Sequence, residues 1–288
     1  MINFIASVFL LYSTAQDYRF DKPEQSVVLP PVLHEISGIT SITDELLACV
    51  QDERGVIFFY DLGKQQLVSN LRFHADGDYE GICRVGRDLY VLRSDGHLFR
   101  VRDFMLPKGN SGYTTVEYPT GIIGKNNEGL CWDSIGNRLL IACKGKVGKG
   151  PEWKDQRHIY AFDLKTHQLD KDPLFAFDLE DIRRFAVEHR VPLPTREKKK
   201  DGSSEPFLRF TTSAIAIHPD SHELYVVSST DHLLIVFGMD GKLHHLEVLD
   251  PVRFNKAEGI IFLSDGDLLI TNEGQDKRPT LLRFDRKQ

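Results

Sequence analysis

Asp78-Tyr79-Glu80-Gly81-Ile82-Cys83-Arg84-Val85-Gly86-Arg87-Asp88-Leu89-Tyr90-Val91-Leu92-Arg93-Ser94-Asp95-Gly96-His97-Leu98-Phe99-Arg100-Val101 holds the unit from which this chain is built. Glu80 to Val85 alternates as a strand, Gly86-Arg87-Asp88 turns, Leu89 to Leu92 is an apolar run, and Ser94-Asp95-Gly96 turns again into His97 to Val101. Tyr113 to Tyr118 then alternates as a fourth strand. The unit returns five times, as an acidic or hydroxyl residue followed by Gly or Ala and an aliphatic. The copies are Ser37-Gly38-Ile39, Glu80-Gly81-Ile82, Glu128-Gly129-Leu130, Ser213-Ala214-Ile215 and Glu258-Gly259-Ile260. Each is followed by a Leu-led run beginning at Leu46, Leu89, Leu139, Leu224 or Leu268. The small residues are 43, 48, 85 and 45 residues apart, which is the period of a four-stranded propeller blade with one long insertion.

The reading is an all-β, five-bladed β-propeller in a single domain over 16–288. Third strands fall at Val56–Tyr60, Ile159–Phe162, Leu233–Phe237 and Leu281–Phe284, and fourth strands at Gln66–Phe73, Leu174–Phe177 and Leu243–Leu249. The fifth repeat reaches Gln288 without a fourth strand, and Ser26-Val27-Val28-Leu29 ahead of the first repeat is the strand it lacks. The N-terminal strand should therefore complete the last blade and close the ring, removing an open sheet edge. The long interval holds an insertion at about 165–210. Within it Leu179, Ile182, Phe185 and Ala186 recur at helical spacing, and the charged stretch from Arg196 to Glu205 reads as mobile.

Composition is consistent with this and excludes some partners. A hydrophobic content of 41% can fill a core, and 22 Gly with 13 Pro supply tight turns. A net charge of −6 without a continuous basic face argues against nucleic acid, and Lys198-Lys199-Lys200 reads as a solvated loop. Phe4 to Leu11 is too short for a membrane anchor, and Ser13-Thr14-Ala15 supplies small residues for a signal peptidase. Residues 1–15 thus read as a signal peptide cleaved before Gln16, leaving a periplasmic or extracellular monomer with no stable membrane anchor. Cys49, Cys83, Cys131 and Cys143 read as free buried thiols, although Cys131 could face Cys143 across one hairpin.

In a four-stranded meander, the chain entering each first strand and the turn after each second strand share one face of the ring. Ser37, Glu80, Glu128, Ser213 and Glu258 should therefore gather around the central channel. Asp52, Glu53, Asp95, Lys144 and Glu273 should lie just outside, with Glu35 and Asp78 two residues upstream of the ring position. Neighbouring carboxylates ~7 Å apart at an effective dielectric of ~20 repel by about 2.4 kcal/mol per pair. A hard divalent cation, shared protons or Lys144 would each relieve this. The oxygen-rich set suits Ca²⁺ or Mg²⁺, with Glu80, Glu128 and Glu258 as ligands, and scattered histidines argue against zinc. Alternatively, each Glu caps its own blade by accepting backbone N–H groups, and both can hold together. There is no Gly-x-Ser-x-Gly elbow, phosphate loop or nucleotide signature. Lys144-Gly145-Lys146-Val147-Gly148-Lys149-Gly150 resembles a cationic anion-binding loop only loosely, and a flexible second turn explains it better.

These residues together, with Glu35-Ile36-Ser37-Gly38-Ile39, Asp52-Glu53-Arg54-Gly55, Asp78-Tyr79-Glu80-Gly81-Ile82, Asn127-Glu128-Gly129-Leu130, Ser213-Ala214-Ile215-Ala216-Ile217-His218-Pro219 and Glu258-Gly259-Ile260, resemble the SdiA-regulated, or YjiK-like, family of exported bacterial propellers. The resemblance spans nearly all of residues 16–288. It implies a five-bladed propeller distantly similar to NHL-repeat proteins, calcium binding without an established reaction, and a Gram-negative envelope setting. Ser37 and Ser213 depart from a fully carboxylate ring. Two functions follow as expectations: a module binding a small molecule or protein on its acidic face, with Ca²⁺ as cofactor, or a metal-dependent hydrolase of the esterase, lactonase or phosphatase type.

Overall fold

The computed structural model describes residues 14–104, 113–124, 126–198, 200 and 202–287. β1 (Gln25–Val28) precedes the first blade, which consists of β2 (Ile36–Thr43), β3 (Leu46–Gln51), β4 (Val56–Asp61) and β5 (Gln66–Arg72). Blade 2 is β6 (Tyr79–Val85), β7 (Asp88–Arg93), β8 (His97–Arg102) and β9 (Thr114–Pro119). Blade 3 runs β10 (Asn127–Asp133), β11 (Arg138–Cys143) and β12 (Gln156–Asp163), and its outer position is shared by β13 (Gln168–Leu169) and β14 (Phe175–Asp178). α1 (Leu179–Glu188) and a hairpin of β15 (Thr195–Glu197) and β16 (Ser204–Pro206) form the insertion. Blade 4 is β17 (Thr212–Ile217), β18 (Leu224–Ser228), β19 (Leu233–Phe237) and β20 (Leu243–Val248). Blade 5 is β21 (Ala257–Phe262), β22 (Leu268–Asn272), β23 (Thr280–Phe284) and β1, so the N-terminal strand closes the ring. The closing register pairs Gln25 with Arg283 and Val28 with Thr280.

The Leu-led runs are apolar at every position because each second strand lies mid-blade with a neighbouring blade on both faces. In β3, Leu47 and Cys49 face blade 5 while Ala48 and Val50 face blade 2. The buried side chains accordingly divide into five clusters, one for each interface between successive blades. Outer strands instead alternate, as β5 does from Gln66 to Leu71.

α1 forms where the 3.6-residue pattern places it. Asp178 caps it by accepting from Glu180 N, and Leu179, Ile182 and Ala186 turn into the core between blades 3 and 4. Two expectations are corrected. The stretch from Arg196 to Glu205 is not without structure, because Arg196 pairs with Glu205 across the β15–β16 hairpin, Nε to Oε1 at 2.8 Å. Cys131 faces Leu140 and not Cys143, which lies opposite Asn127. All four cysteines are buried and free.

Of the expected signal peptide, residues 1–13 lie outside the described residues. Ala15, Tyr18 and Phe20 pack into the cluster between blades 4 and 5. Thr14 Oγ1 donates to Glu223 at 2.6 Å, and Tyr18 Oη donates to the Gly266 carbonyl at 2.6 Å.

Candidate functional site: the acidic mouth of the channel

Every first strand carries a β-bulge at the same place. Pairing skips one residue between Ile36 and Gly38, Tyr79 and Gly81, Asn127 and Gly129, Thr212 and Ala214, and Ala257 and Gly259. The skipped residues are Ser37, Glu80, Glu128, Ser213 and Glu258, the five ring positions. A bulge frees a residue from the ladder and re-aims its side chain. Here it puts the three glutamates at the axis.

The small residue that follows each ring position is set by how closely the innermost strands approach. A Cβ on Gly81 would lie 2.9 Å from Leu130 Cβ and 3.1 Å from the Glu128 carbonyl. One on Gly38 would meet Gly81 Cα at 2.9 Å, and one on Gly259 would meet Thr271 Oγ1 and Ile39. Backbone hydrogen bonds lace the rim: Tyr79 N to Asp52 O at 2.9 Å, Asn127 N to Ser94 O at 3.0 Å and Thr212 N to Lys144 O at 3.1 Å. The residue after the second strand of blades 1, 2 and 3 is thereby held against the start of the next blade.

Ser37, Glu80, Glu128 and Glu258 line one small cavity at the axis. Ser213 is buried beside it, but its hydroxyl turns away and donates to the Ala257 carbonyl at 2.6 Å. Ser37 Oγ likewise donates to the Glu35 carbonyl at 2.9 Å. Lys144 Nζ pairs with Glu128 Oε1 and also lies in the fields of Glu258 and Glu80. Lys256 Nζ pairs with Glu273 and stands 3.7 Å from Glu258 Oε1, which also accepts from Ser229 Oγ at 3.3 Å. Glu80 has no hydrogen-bond or ion-pair partner among the described residues, and Glu128 Oε2 is buried with none.

Burial pushes the Glu80 carboxyl up to about 9, and Glu128, Asp78 and Glu258 add to the shift. Glu258 is raised by burial and then by Glu128; Glu128 is raised by burial against the opposing pull of Lys144. Asp52 rises to about 6 through burial, then through Glu35 and Glu273. Asp52, Glu35, Glu53, Asp78 and Glu273 thus form one electrostatic group around the rim. Asp95 is drawn out of it, held by Arg93 at 2.9–3.1 Å on the edge of blade 2. None of the three ring glutamates accepts a backbone N–H among the described residues, so they do not act as blade caps.

Sequence reasoning missed Lys256, Ser229 and Asn127. Lys256 was legible, since it stands two residues before Glu258 as Glu35 and Asp78 stand before their ring positions. Among the described residues, the Oδ1 atoms of Asp52, Asn127 and Asn272 are buried without partners, like Glu128 Oε2. Nothing in the repeat pattern marks Asn127, whereas Asn272 falls with Glu273 in the turn that follows the second strand of the last repeat.

The donors at the mouth are all oxygens, which suits a hard cation. With every carboxylate ionised, Glu80, Glu128, Glu258 and Glu273 outweigh Lys144 and Lys256 by two charges. Among the described residues, no three His, Cys, Asp or Glu side chains already converge on one point. Lys144 reaches in among the glutamates instead.

Fold and site together define a five-bladed β-propeller with a polar mouth at its axis. No family model and no curated protein matches the chain. Among solved structures it is similar to glutaminyl cyclase from Myxococcus xanthus, at 12% identity over 92% of this chain and 95% of that one, with a TM-score of 0.56. It is also similar to a streptogramin B lyase, at 12% identity over 91% and 97%, with a TM-score of 0.45. Such likeness speaks to the fold alone.

Proposed function

We propose that the protein is a binding propeller, of the SdiA-regulated kind and working outside the cytoplasm, whose acidic mouth takes Ca²⁺ as part of a site for a small molecule or protein. The observation that carries this reading is the buried Oε2 of Glu128, without a partner among the described residues, beside Glu80, which has none there either. A buried acceptor without a partner costs about 1–3 kcal/mol, and more when charged. Glu80, Glu128 and Glu258 would hold the ion, with Asp52 on the rim. Bound there, Ca²⁺ would supply two positive charges and an oxygen-seeking coordination sphere. The carboxyls can be neutralised by protons or by a divalent cation, so uptake of the ion releases protons.

Melting after chelation tests the proposal. Ca²⁺ at a hundredfold excess over Kd should stabilise the stripped protein by about 2.7 kcal/mol. For a chain this long that is roughly 5–10 °C in Tm. Glu80→Gln should lose the response while remaining folded. A wild-type Tm indifferent to Ca²⁺ would reject the ion.

A further inference from the structure

The mouth is electrically lopsided, and blade 4 lies at the centre of the imbalance. Blades 1 and 2 bring Glu35, Asp52, Glu53, Asp78 and Glu80. Blade 4 has Ser213 at the ring position and Ser229 after its second strand, with no carboxylate at either. Its nearby Asp231 is committed elsewhere, accepting from Arg209 N, Phe210 N and Ser228 Oγ. On either side of these two serines stand Lys144 from blade 3 and Lys256 from blade 5, with side chains 34% and 32% exposed. The loop after Lys144 adds Lys146 and Lys149, both exposed.

Both ammoniums are held by carboxylates of the mouth, Lys144 by Glu128 and Lys256 by Glu273 and Glu258. Among the described residues, Ser229 Oγ is held only by the 3.3 Å bond to Glu258. Glu128 and Glu258 are two of the three ring carboxylates assigned above to a divalent ion, and the present inference rests on that assignment. When those carboxylates hold a cation, Lys144 and the Ser229 hydroxyl lose their partners and Lys256 keeps Glu273 alone. A half-buried ammonium that has lost its counter-charge is costly, and an anionic ligand beside Lys144 and Lys256 restores the balance.

We propose that the blade 4 side of the mouth is a subsite for a small anionic oxyacid group, held between Lys144 and Lys256 with the Ser229 hydroxyl, and linked to cation binding in the neighbouring ring. The ligand class is therefore a compound bearing a carboxylate or a phosphoryl group. Lys146 and Lys149 steer it to the blade 4 side by long-range attraction.

Calorimetric titration of the whole protein with acetate and with methyl phosphate, each with Ca²⁺ present and after chelation, tests this. At least one probe should bind the Ca²⁺-loaded wild type at least tenfold more tightly than the chelated protein, and the probe that does so tells carboxylate from phosphoryl. Lys144→Met and Lys256→Met should each weaken that binding at least tenfold. Ca²⁺ itself should bind these variants no more weakly than wild type, because a competing internal cation has been removed. Ca²⁺ heat without heat from either anion overturns this inference alone. Equal anion binding to the double variant K144M/K256M and to wild type also overturns it. Absence of Ca²⁺ heat in the wild type overturns the ion and the subsite together.

Discussion

Glu80 is the residue on which burial and like charge act in the same direction without any partner to oppose them at contact distance. Its carboxyl titrates at about 9 in the fold, against an ordinary value near 4.5. Between those values the folded protein binds more protons than the unfolded chain, so stability falls as pH rises through the window. The stripped wild type should therefore lose stability steadily from pH 5 to pH 9 in denaturant melts. Glu80→Gln should flatten that slope, and an unchanged slope would show that the fold does not raise the Glu80 carboxyl. Gly81 makes a different claim. Gly81→Ala drives a methyl group against Leu130 Cβ and the Glu128 carbonyl, neither of which is a flexible tip. It should cost about 1–3 kcal/mol in chemical denaturation. Of the site residues, the three glutamates and Lys144 were legible in the sequence because the repeat places them. The unpartnered oxygens of Asn127 and Asn272 were not, since they depend on side-chain geometry that no periodicity encodes.

Strands were legible for a physical reason. A mid-blade strand is covered on both faces and reads as an unbroken apolar run, while an outer strand alternates, so the order of the two patterns gives the meander. The bulges were not legible. A skipped residue leaves the local sequence unchanged, and only the pairing of Gly81 with Leu92 and Tyr79 with Arg93 shows that Glu80 stands free. The β15–β16 hairpin was missed because composition alone marks its charged residues as solvated, whereas Arg196 and Glu205 are cross-strand partners. β1 carries the heaviest demand among the elements, supplying the outer strand of blade 5 and leading into Leu29, which is buried between blades 5 and 1. Removal of residues 26–29 should expose the β23 edge and empty part of that core. The shortened protein should melt at least 10 °C lower and scatter light on standing. Melting at the wild-type temperature would mean that another segment closes the ring.

Across the whole molecule, five interblade cores hold five bulged strands at one axis, and the repeat that builds the fold also builds the mouth. Departures from strict repetition give the mouth its character. Serines replace glutamates on blades 1 and 4, and lysines enter from blades 3 and 5. The result is a ring with an acidic side and a cationic side, where Glu80, Glu128, Glu258 and Glu273 outnumber Lys144 and Lys256 by two. The central claim is that this excess is met by one divalent ion. Equilibrium dialysis of chelator-stripped protein against micromolar Ca²⁺, followed by elemental analysis, measures it directly. The account predicts one calcium retained per wild-type chain and none in the double variant E80Q/E128Q. Wild-type protein that retains no calcium under these conditions would contradict it.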